Sequence, residues 1–123
     1  MQRNFSAIAV VVLSILGLAS AAPLPGQTSP AWIQLSPTPD PTYGAPGVRL
    51  AHTAVYNPTT NRMIVFGGQA GPSGGLLNDV WVLSNADGTG GTPAWIKLNA
   101  SGGPGARMLH QAVYDAANNR MIV

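Results

Sequence analysis

Short runs of alternating or continuous apolar residues, separated by clusters of glycine, proline and asparagine, occupy most of the chain after residue 30. Such runs favour β-strands over helices, because strands alternate with a period of two and the intervening turns need residues that accept unusual backbone angles. The pattern predicts strands at 31–35, 50–56, 63–66, 79–83 and 94–98.

Two of these strands can be assigned a place in a sheet. The run 63–66 is apolar throughout, which predicts a strand buried on both faces, ending at Gly67 and Gly68. The run 94–98 alternates, with Ile96 and Leu98 on one face and Trp95 and Lys97 on the other, which predicts a half-exposed outer strand.

Two five-residue segments, 57–61 and 115–119, have the composition of hairpin loops. The side chains of Asn57 and Asp115 can each accept a backbone N–H across the turn. Asn61 and Asn119 tolerate the left-handed conformation that closes such loops. The glycine pair after residue 66 permits positive φ or a close approach of another backbone segment.

The strongest feature of the sequence is an internal repeat. Residues 49–65 match 107–123 at an offset of 58, with ten of 17 positions identical. Separately, 30–35 matches 93–98 at an offset of 63, and the difference falls in a proline- and glycine-rich connection. Because repeated units bury their faces against one another, such a repeat predicts the architecture of the whole domain.

The order of motifs in one unit resembles the kelch repeat. An apolar strand ends in Gly67 and Gly68, followed by Asp79 and Trp81 on the next strand and Trp95 on the last, and the next unit opens with Arg107 and His110 at the positions of Arg49 and His52. The resemblance covers 31–123 and implies a β-propeller whose blades are four-stranded sheets. The expected fold is therefore all-β: a partial kelch-type propeller of about one and a half antiparallel blades.

The expected organisation is one full blade at 49–98 and the start of the next at 107–123, within an incomplete propeller at 31–123. A propeller needs roughly four to eight blades, and an open blade face would leave large apolar side chains in water. The chain is thus expected to be the N-terminal fragment of a longer protein, with another glycine pair after Val123. Assembly of short copies with one another is the alternative.

The N-terminus has the pattern of a secretory signal peptide over 1–21: a basic start at Arg3, an apolar run over 5–19 and small residues around Ala21. Cleavage after Ala21 is favoured, followed by a linker at 22–30. An uncleaved membrane anchor and a buried N-terminal helix are the alternatives. The expected location is secreted, periplasmic or at the cell surface, with membrane contact only through the signal sequence.

Composition excludes some functions. The net charge is only +2 and the six Lys and Arg residues do not cluster, which argues against nucleic-acid binding. Cysteine is absent, so disulfides, thiolate metal sites and a cysteine nucleophile are excluded for this stretch. No cofactor or metal site is predicted.

The side chains that could act in binding or catalysis all lie at repeated positions. His52 and His110 occupy one repeat position and Arg49 and Arg107 another, whereas a catalytic residue is usually singular. We expect the histidines to be structural, the arginines to bond blade carbonyls or an aspartate such as Asp79, and the tryptophans to pack between blades.

Three functions remain open. The favoured one is an exported scaffold that binds an unknown protein or glycan through blade-end loops, without catalysis in this stretch. The second is the N-terminal part of a galactose oxidase-like copper enzyme whose site lies downstream. The third is a structural module of the cell surface.

Overall fold

A computed structural model describes residues 32–123 of the protein. The predicted signal peptide, its cleavage position Ala21 and the linker at 22–30 lie outside the described residues. Between Trp32 and Val123 the chain is all-β and contains no helix. A membrane-spanning helix is accordingly not found in this part of the chain.

Two antiparallel sheets form the fold, and each follows the order of the chain. Sheet one has four strands in the order β1-β2-β3-β4: β1 (Thr53–Asn57), β2 (Arg62–Gln69), β3 (Leu76–Ser84) and β4 (Ala94–Leu98). Sheet two is a hairpin of β5 (Val113–Asp115) and β6 (Arg120–Ile122). The strand predictions at 63–66, 79–83 and 94–98 are confirmed, and β4 is an edge strand of sheet one as its alternation indicates.

Sheet one has two distinct faces. Thr53, Ile64 and Val80 point to what we call the back face, and Tyr56 and Trp81 point to the front face, as the pairing register requires. The central strands β2 and β3 carry the buried core residues of both faces: Val65, Phe66, Trp81, Val82 and Leu83. Sheet two lies against the back face.

The N-terminal segment 38–44 closes the outer edge of β4. Thr38 donates its N–H to the carbonyl of Pro93 at 2.9 Å and accepts the N–H of Trp95 at 2.8 Å. One carboxylate oxygen of Asp40 accepts the Lys97 N–H at 3.0 Å. An open strand edge invites pairing with other chains, so this segment protects the outer edge of the sheet.

The strand predicted at 50–56 begins later than expected, since β1 starts at Thr53. Ala51 has a φ of 53°, in the left-handed region that extended strands exclude. Leu50 still makes an isolated bridge to Gln69, but regular pairing starts at Thr53. Leu109, the repeat equivalent of Ala51, has a φ of 57°. Both copies of the repeat therefore contain a left-handed residue before the first strand.

The predicted end of β2 at the glycine pair is wrong. β2 continues through Gly67 and Gly68 to Gln69, with a bulge between Phe66 and Gly68. Both glycines have positive φ, 63° and 97°, as their residue type allows. The bulge absorbs these angles, so the strand bends and resumes pairing with β3.

The strand predicted at 31–35 is not formed over Trp32 to Leu35. This segment repeats the sequence of β4, and β4 pairs with β3. Within the described residues the edge of β3 that such a strand would use is already occupied by β4 itself. Without a partner strand the segment stays extended, and the side chain of Trp32 is fully exposed.

Both hairpin loops have the predicted chemistry. The side-chain oxygen of Asn57 accepts the N–H groups of Thr59 and Thr60 at 2.9 and 3.3 Å. Asp115 accepts the N–H of Asn118 at 3.3 Å in the second loop. The two closing residues, Asn61 and Asn119, have the same φ of 51°. The two loops have related sequences and therefore adopt the same turn conformation.

Candidate functional site

Arg49 and Asp79 form a bidentate ion pair at the entry to sheet one. The two terminal guanidinium nitrogens of Arg49 donate to the two carboxylate oxygens of Asp79 at 2.7 and 2.9 Å. Arg49 also donates to the carbonyl of Gly67 at 3.1 Å, and the indole N–H of Trp81 donates to Asp79 at 2.6 Å. The predicted bonding of Arg49 to a carbonyl and to Asp79 is confirmed, and the network joins three segments of one unit.

The electrostatics of Asp79 follow from this network. Burial raises the pKa of the carboxyl, but hydrogen bonds from Arg49 and Trp81 outweigh it and hold the pKa below its ordinary value. Both oxygens are engaged and the side chain is mostly covered. Asp79 therefore stays ionised at neutral pH, where its oxygens stabilise the fold.

The glycine pair of β2 is where the second unit meets the first. Gly68 donates its N–H to the carbonyl of Arg107 at 2.8 Å, and Arg107 donates its own N–H to Leu77 at 3.1 Å. A Cβ on Gly67 would lie 2.9 Å from the Arg107 carbonyl oxygen. The close approach predicted for this pair is thus made by the backbone that opens unit two.

His110 lies between the two sheets. Its Nε2 is hydrogen-bonded to the hydroxyl of Thr53 at 2.7 Å, and its ring meets Phe66 edge-on at a centroid distance of 5.2 Å. Its Nδ1 is buried without a hydrogen-bond partner. His52, its repeat equivalent, is exposed. The contacts of His110 are packing and positioning contacts between the units.

A second polar contact joins the sheets at the hairpin end. The side-chain amide of Asn57 donates to the hydroxyl of Tyr114, and that hydroxyl donates to the side-chain oxygen of Asn119. Asn57 is almost completely buried. The sequence pattern predicts a role for Asn57 in its own turn but not this contact, although Tyr114 and Asn119 repeat Tyr56 and Asn61.

The aromatic residues of β3 and β4 pack within sheet one. Trp81 and Trp95 are perpendicular with centroids 6.4 Å apart. The ammonium of Lys97 lies 4.7 Å from the ring centroid of Tyr43 and 5.8 Å from that of Trp81, within the range of a cation–π contact. Trp81 is buried. The cluster therefore covers the part of the front face that lies beside the N-terminal segment.

A groove of about 430 Å³ lies between the back face of sheet one and the face of sheet two that carries Tyr114 and Met121. Its walls are apolar side chains from both sheets, including Ile64, Phe66, Leu98 and Met121. No group of three or more metal-ligating side chains occurs among residues 32–123. The groove offers apolar contact area and no cluster of acids, bases or nucleophiles.

A polar exposed surface lies where the β3–β4 loop meets the first hairpin loop. The amide of Asn61 donates to Asp87 at 2.6 Å and to the carbonyl of Thr89 at 3.2 Å, and Asn61 accepts the Asp87 N–H at 3.0 Å. Thr89 donates its N–H and its hydroxyl to Asp87. These bonds order an otherwise glycine-rich loop and leave its outer side open to solvent. We call this surface the loop rim.

Comparison of the chain with protein-family models, with curated proteins and with solved structures finds no match.

Proposed function

We propose that this chain is part of an exported kelch-repeat protein, a β-propeller scaffold that binds a protein or glycan through loops at the blade ends and carries out no catalysis in this stretch. The observation that carries the proposal is that one member of the repeated arginine pair and one of the repeated histidine pair are engaged in the fold. Arg49 is committed to Asp79, and His110 to the contact with Thr53. Residues that hold the fold together rather than line a reaction site support a scaffold function over a catalytic one.

The repeat and the docking of one unit on another support the propeller part of the proposal. A four-stranded antiparallel sheet, with its strands in chain order, receives a second sheet that repeats its first two strands. Propeller blades are sheets of this kind packed around a common axis. The export part rests on the basic, apolar and small-residue pattern of 1–21.

The loop rim is the proposed binding surface. It presents the hydroxyl of Thr89 and the carboxylate of Asp87 on a loop held by Asn61. Ordered polar groups on a rigid sheet can bond to hydroxyls or peptide groups of a partner with little further ordering. Such a surface suits a polar ligand such as a glycan or an extended peptide.

A glycan array and a displayed peptide library, each probed with the chain, test the proposal. We expect a selected ligand to lose at least about tenfold in affinity when Asp87 and Thr89 are both replaced by alanine, because each good hydrogen bond contributes about 1 kcal/mol. Ser73→Ala, on an exposed loop between β2 and β3, is the matched control and should leave binding unchanged.

Two results would contradict the proposal. One is the absence of any ligand that distinguishes the rim variant from the Ser73 control. The other is stoichiometric binding of copper to the longer protein of which this chain is proposed to be part, measured by calorimetry, which would favour the copper-enzyme alternative over a scaffold.

A further inference from the structure

The junction between unit one (49–98) and unit two (107–123) contains a histidine whose ring is bonded at one nitrogen only. Nε2 of His110 is hydrogen-bonded to the hydroxyl of Thr53 in β1 at 2.7 Å, and the ring meets Phe66 of β2 edge-on. Its Nδ1 is buried and has no hydrogen-bond partner among residues 32–123. The ring is therefore enclosed by unit one without a second acceptor or donor.

This arrangement accommodates a neutral imidazole and opposes an imidazolium. A neutral ring carries one N–H, which Nε2 can donate to the Thr53 hydroxyl while Nδ1 stays unprotonated. Protonation gives both nitrogens an N–H, and the second N–H of His110 would then lie in a buried position without an acceptor. A buried ionised group without a partner is strongly unfavourable.

No acidic side chain offsets the charge of a protonated His110 ring. On the β2 side, a Cβ on Gly67 would lie 3.2 Å from Cε1 of His110, and the Gly67 carbonyl accepts a hydrogen bond from the cation Arg49. The chain contains four acidic side chains, and each of them is bonded to other groups: Asp40, Asp79, Asp87 and Asp115.

The other titratable side chains of the surrounding elements make no hydrogen bond to the ring within residues 32–123. They are His52, Tyr56 and Arg62 from unit one, and Arg107, Tyr114 and Arg120 from unit two. Thr53 is thus the single polar group that holds the His110 ring in the described part of the chain.

The strands that complete a unit do not supply the missing partner. His52 has in unit one the repeat position that His110 has in unit two. Unit one contains all four of its strands, yet the ring of His52 makes no hydrogen bond to them and is exposed. The unpartnered Nδ1 is therefore a property of the contact between units.

We propose that the junction is a pH-sensitive contact, in which unit two stays docked on the back face of sheet one while His110 is neutral and is released when the ring takes up a proton. An imidazole changes its charge between about pH 5 and pH 8. A released ring can bond water at both nitrogens, so the released state binds more protons than the docked state. Docking therefore weakens as the pH falls.

Three backbone hydrogen bonds cross the junction and report its state. Gly68 donates to the carbonyl of Arg107 at 2.8 Å, Arg107 to that of Leu77 at 3.1 Å and Leu109 to that of Ala51 at 3.0 Å. Each joins unit two to unit one, so the exchange of these amide hydrogens measures opening of the junction and not opening of either sheet.

Residue-resolved hydrogen exchange of the full chain at about pH 7.5 and about pH 5 is the experiment, with rates corrected for the intrinsic pH dependence of exchange. We expect the amides of Gly68, Arg107 and Leu109 to be about tenfold less protected at the lower pH, because one proton changes an equilibrium at most about tenfold per pH unit. Amides between β3 and β4 should keep their protection. The ¹⁵N shifts of the His110 ring should show proton uptake over the same pH range.

Two variants assign the effect to one of the two histidines of the chain. His110→Gln keeps an amide that can donate to the Thr53 hydroxyl but cannot titrate in this range, so its junction should be equally protected at both pH values. His52→Gln is the matched control, since His52 is exposed, and it should keep the pH dependence of the parent chain.

Four outcomes would overturn the inference. Two concern the parent chain: equal protection of the junction amides at both pH values, and proton uptake by the His110 ring while these amides stay protected. The other two concern the variants: a pH dependence that persists in His110→Gln, and one that His52→Gln abolishes. If His110→Gln leaves the junction open at both pH values, the ring shifts and amide protection of the parent chain decide the question.

Discussion

The guanidinium of Arg49 and the carboxylate of Asp79 meet through two hydrogen bonds of 2.7 and 2.9 Å, although 30 residues separate them in the chain. Arg49 lies before β1 and Asp79 lies within β3, while the carbonyl that Arg49 also reaches belongs to Gly67 in β2. A planar guanidinium can bond a carboxylate and a carbonyl together, which an ammonium does less well. The pair therefore ties the segment before β1 to strands β2 and β3.

Asp79→Asn should lower the free energy of unfolding by about 2–4 kcal/mol, because it leaves the largely buried guanidinium of Arg49 without a counter-ion. Urea denaturation measures the change. Arg120→Gln is the control: it removes the Asp115–Arg120 ion pair, whose arginine side chain is 62% exposed. Exposed pairs contribute about 0–1 kcal/mol. Equal effects of the two substitutions would contradict the role given to Asp79.

Stability should fall at acid pH. The pKa of Asp79 is lowered in the folded protein, where hydrogen bonds from Arg49 and Trp81 outweigh the opposing effect of burial. The unfolded chain, with an aspartate pKa of about 3.9, therefore takes up protons first as the pH falls. The contribution is complete above the unfolded pKa and is lost as the pH falls through the folded value.

Unfolding midpoints between pH 7 and pH 2 check this expectation. The pKa values of Asp40, Asp87 and Asp115 are also lowered, chiefly by hydrogen bonds from Lys97, Thr89 and Asn118 respectively. Asp79→Asn should consequently flatten the acid limb without abolishing it. An acid limb of unchanged slope in that variant would show that Asp79 contributes nothing to it.

Gly68→Ala should lower the unfolding free energy by about 2–4 kcal/mol. The new Cβ would lie 2.8 Å from the Leu50 carbonyl oxygen and 2.9 Å from the Cβ of His52, at a φ of 97°. Gly75→Ala is the matched control, since its Cβ would meet nothing within 4 Å. Chemical denaturation of both variants decides the point, and a Gly68 variant as stable as the Gly75 variant would contradict it.

Thr53→Val should loosen sheet two selectively. The substitution keeps a β-branched side chain in β1 but removes the hydroxyl bonded to His110 at 2.7 Å, at a cost of about 1–2 kcal/mol. Hydrogen exchange should show faster exchange in β5 and β6 than in β2 and β3, because a short isolated hairpin is marginally stable. Thr53→Ser keeps the hydroxyl and should preserve protection. Uniform acceleration across both sheets would argue against a docking role.

Ala51→Gly should stabilise the protein, by up to about 1 kcal/mol. Ala51 has a φ of 53°, where a Cβ is unfavourable and glycine is not. The added freedom of glycine in the unfolded chain offsets part of this gain. Thermal unfolding should show a higher midpoint, whereas Ala54→Gly, within β1, should show a lower one. A lower midpoint for Ala51→Gly would contradict the strain assigned to this position.

Local sequence patterns predicted much of sheet one. The alternation of Trp95 and Lys97 against Ile96 and Leu98 assigned the faces of β4, because side chains alternate along any strand. The asparagines at the ends of the first hairpin loop predicted its hydrogen bonds and its left-handed residue, because both depend on neighbouring backbone. These features need no information from distant parts of the chain.

Contacts between segments set the limits of that prediction. The sequence of 32–35 repeats β4, yet a strand also needs a partner strand. The edge of β3 that this segment would pair with is occupied by β4. The left-handed Ala51 and the bulge at Gly67 arise where the backbone of unit two approaches unit one. The glycine pair indicates that some backbone can approach closely, but no local pattern identifies the segment that does so.

The sequence by itself determined that the chain is built of repeated antiparallel strands, since the offset of 58 residues and the alternation of apolar side chains are properties of the chain order. Only the tertiary structure decided how the units meet. The hydroxyl of Thr53 reaches His110, and the amide of Asn57 reaches Tyr114. Polar contacts of this kind depend on the distance between two folded faces, which is fixed by packing rather than by residue spacing.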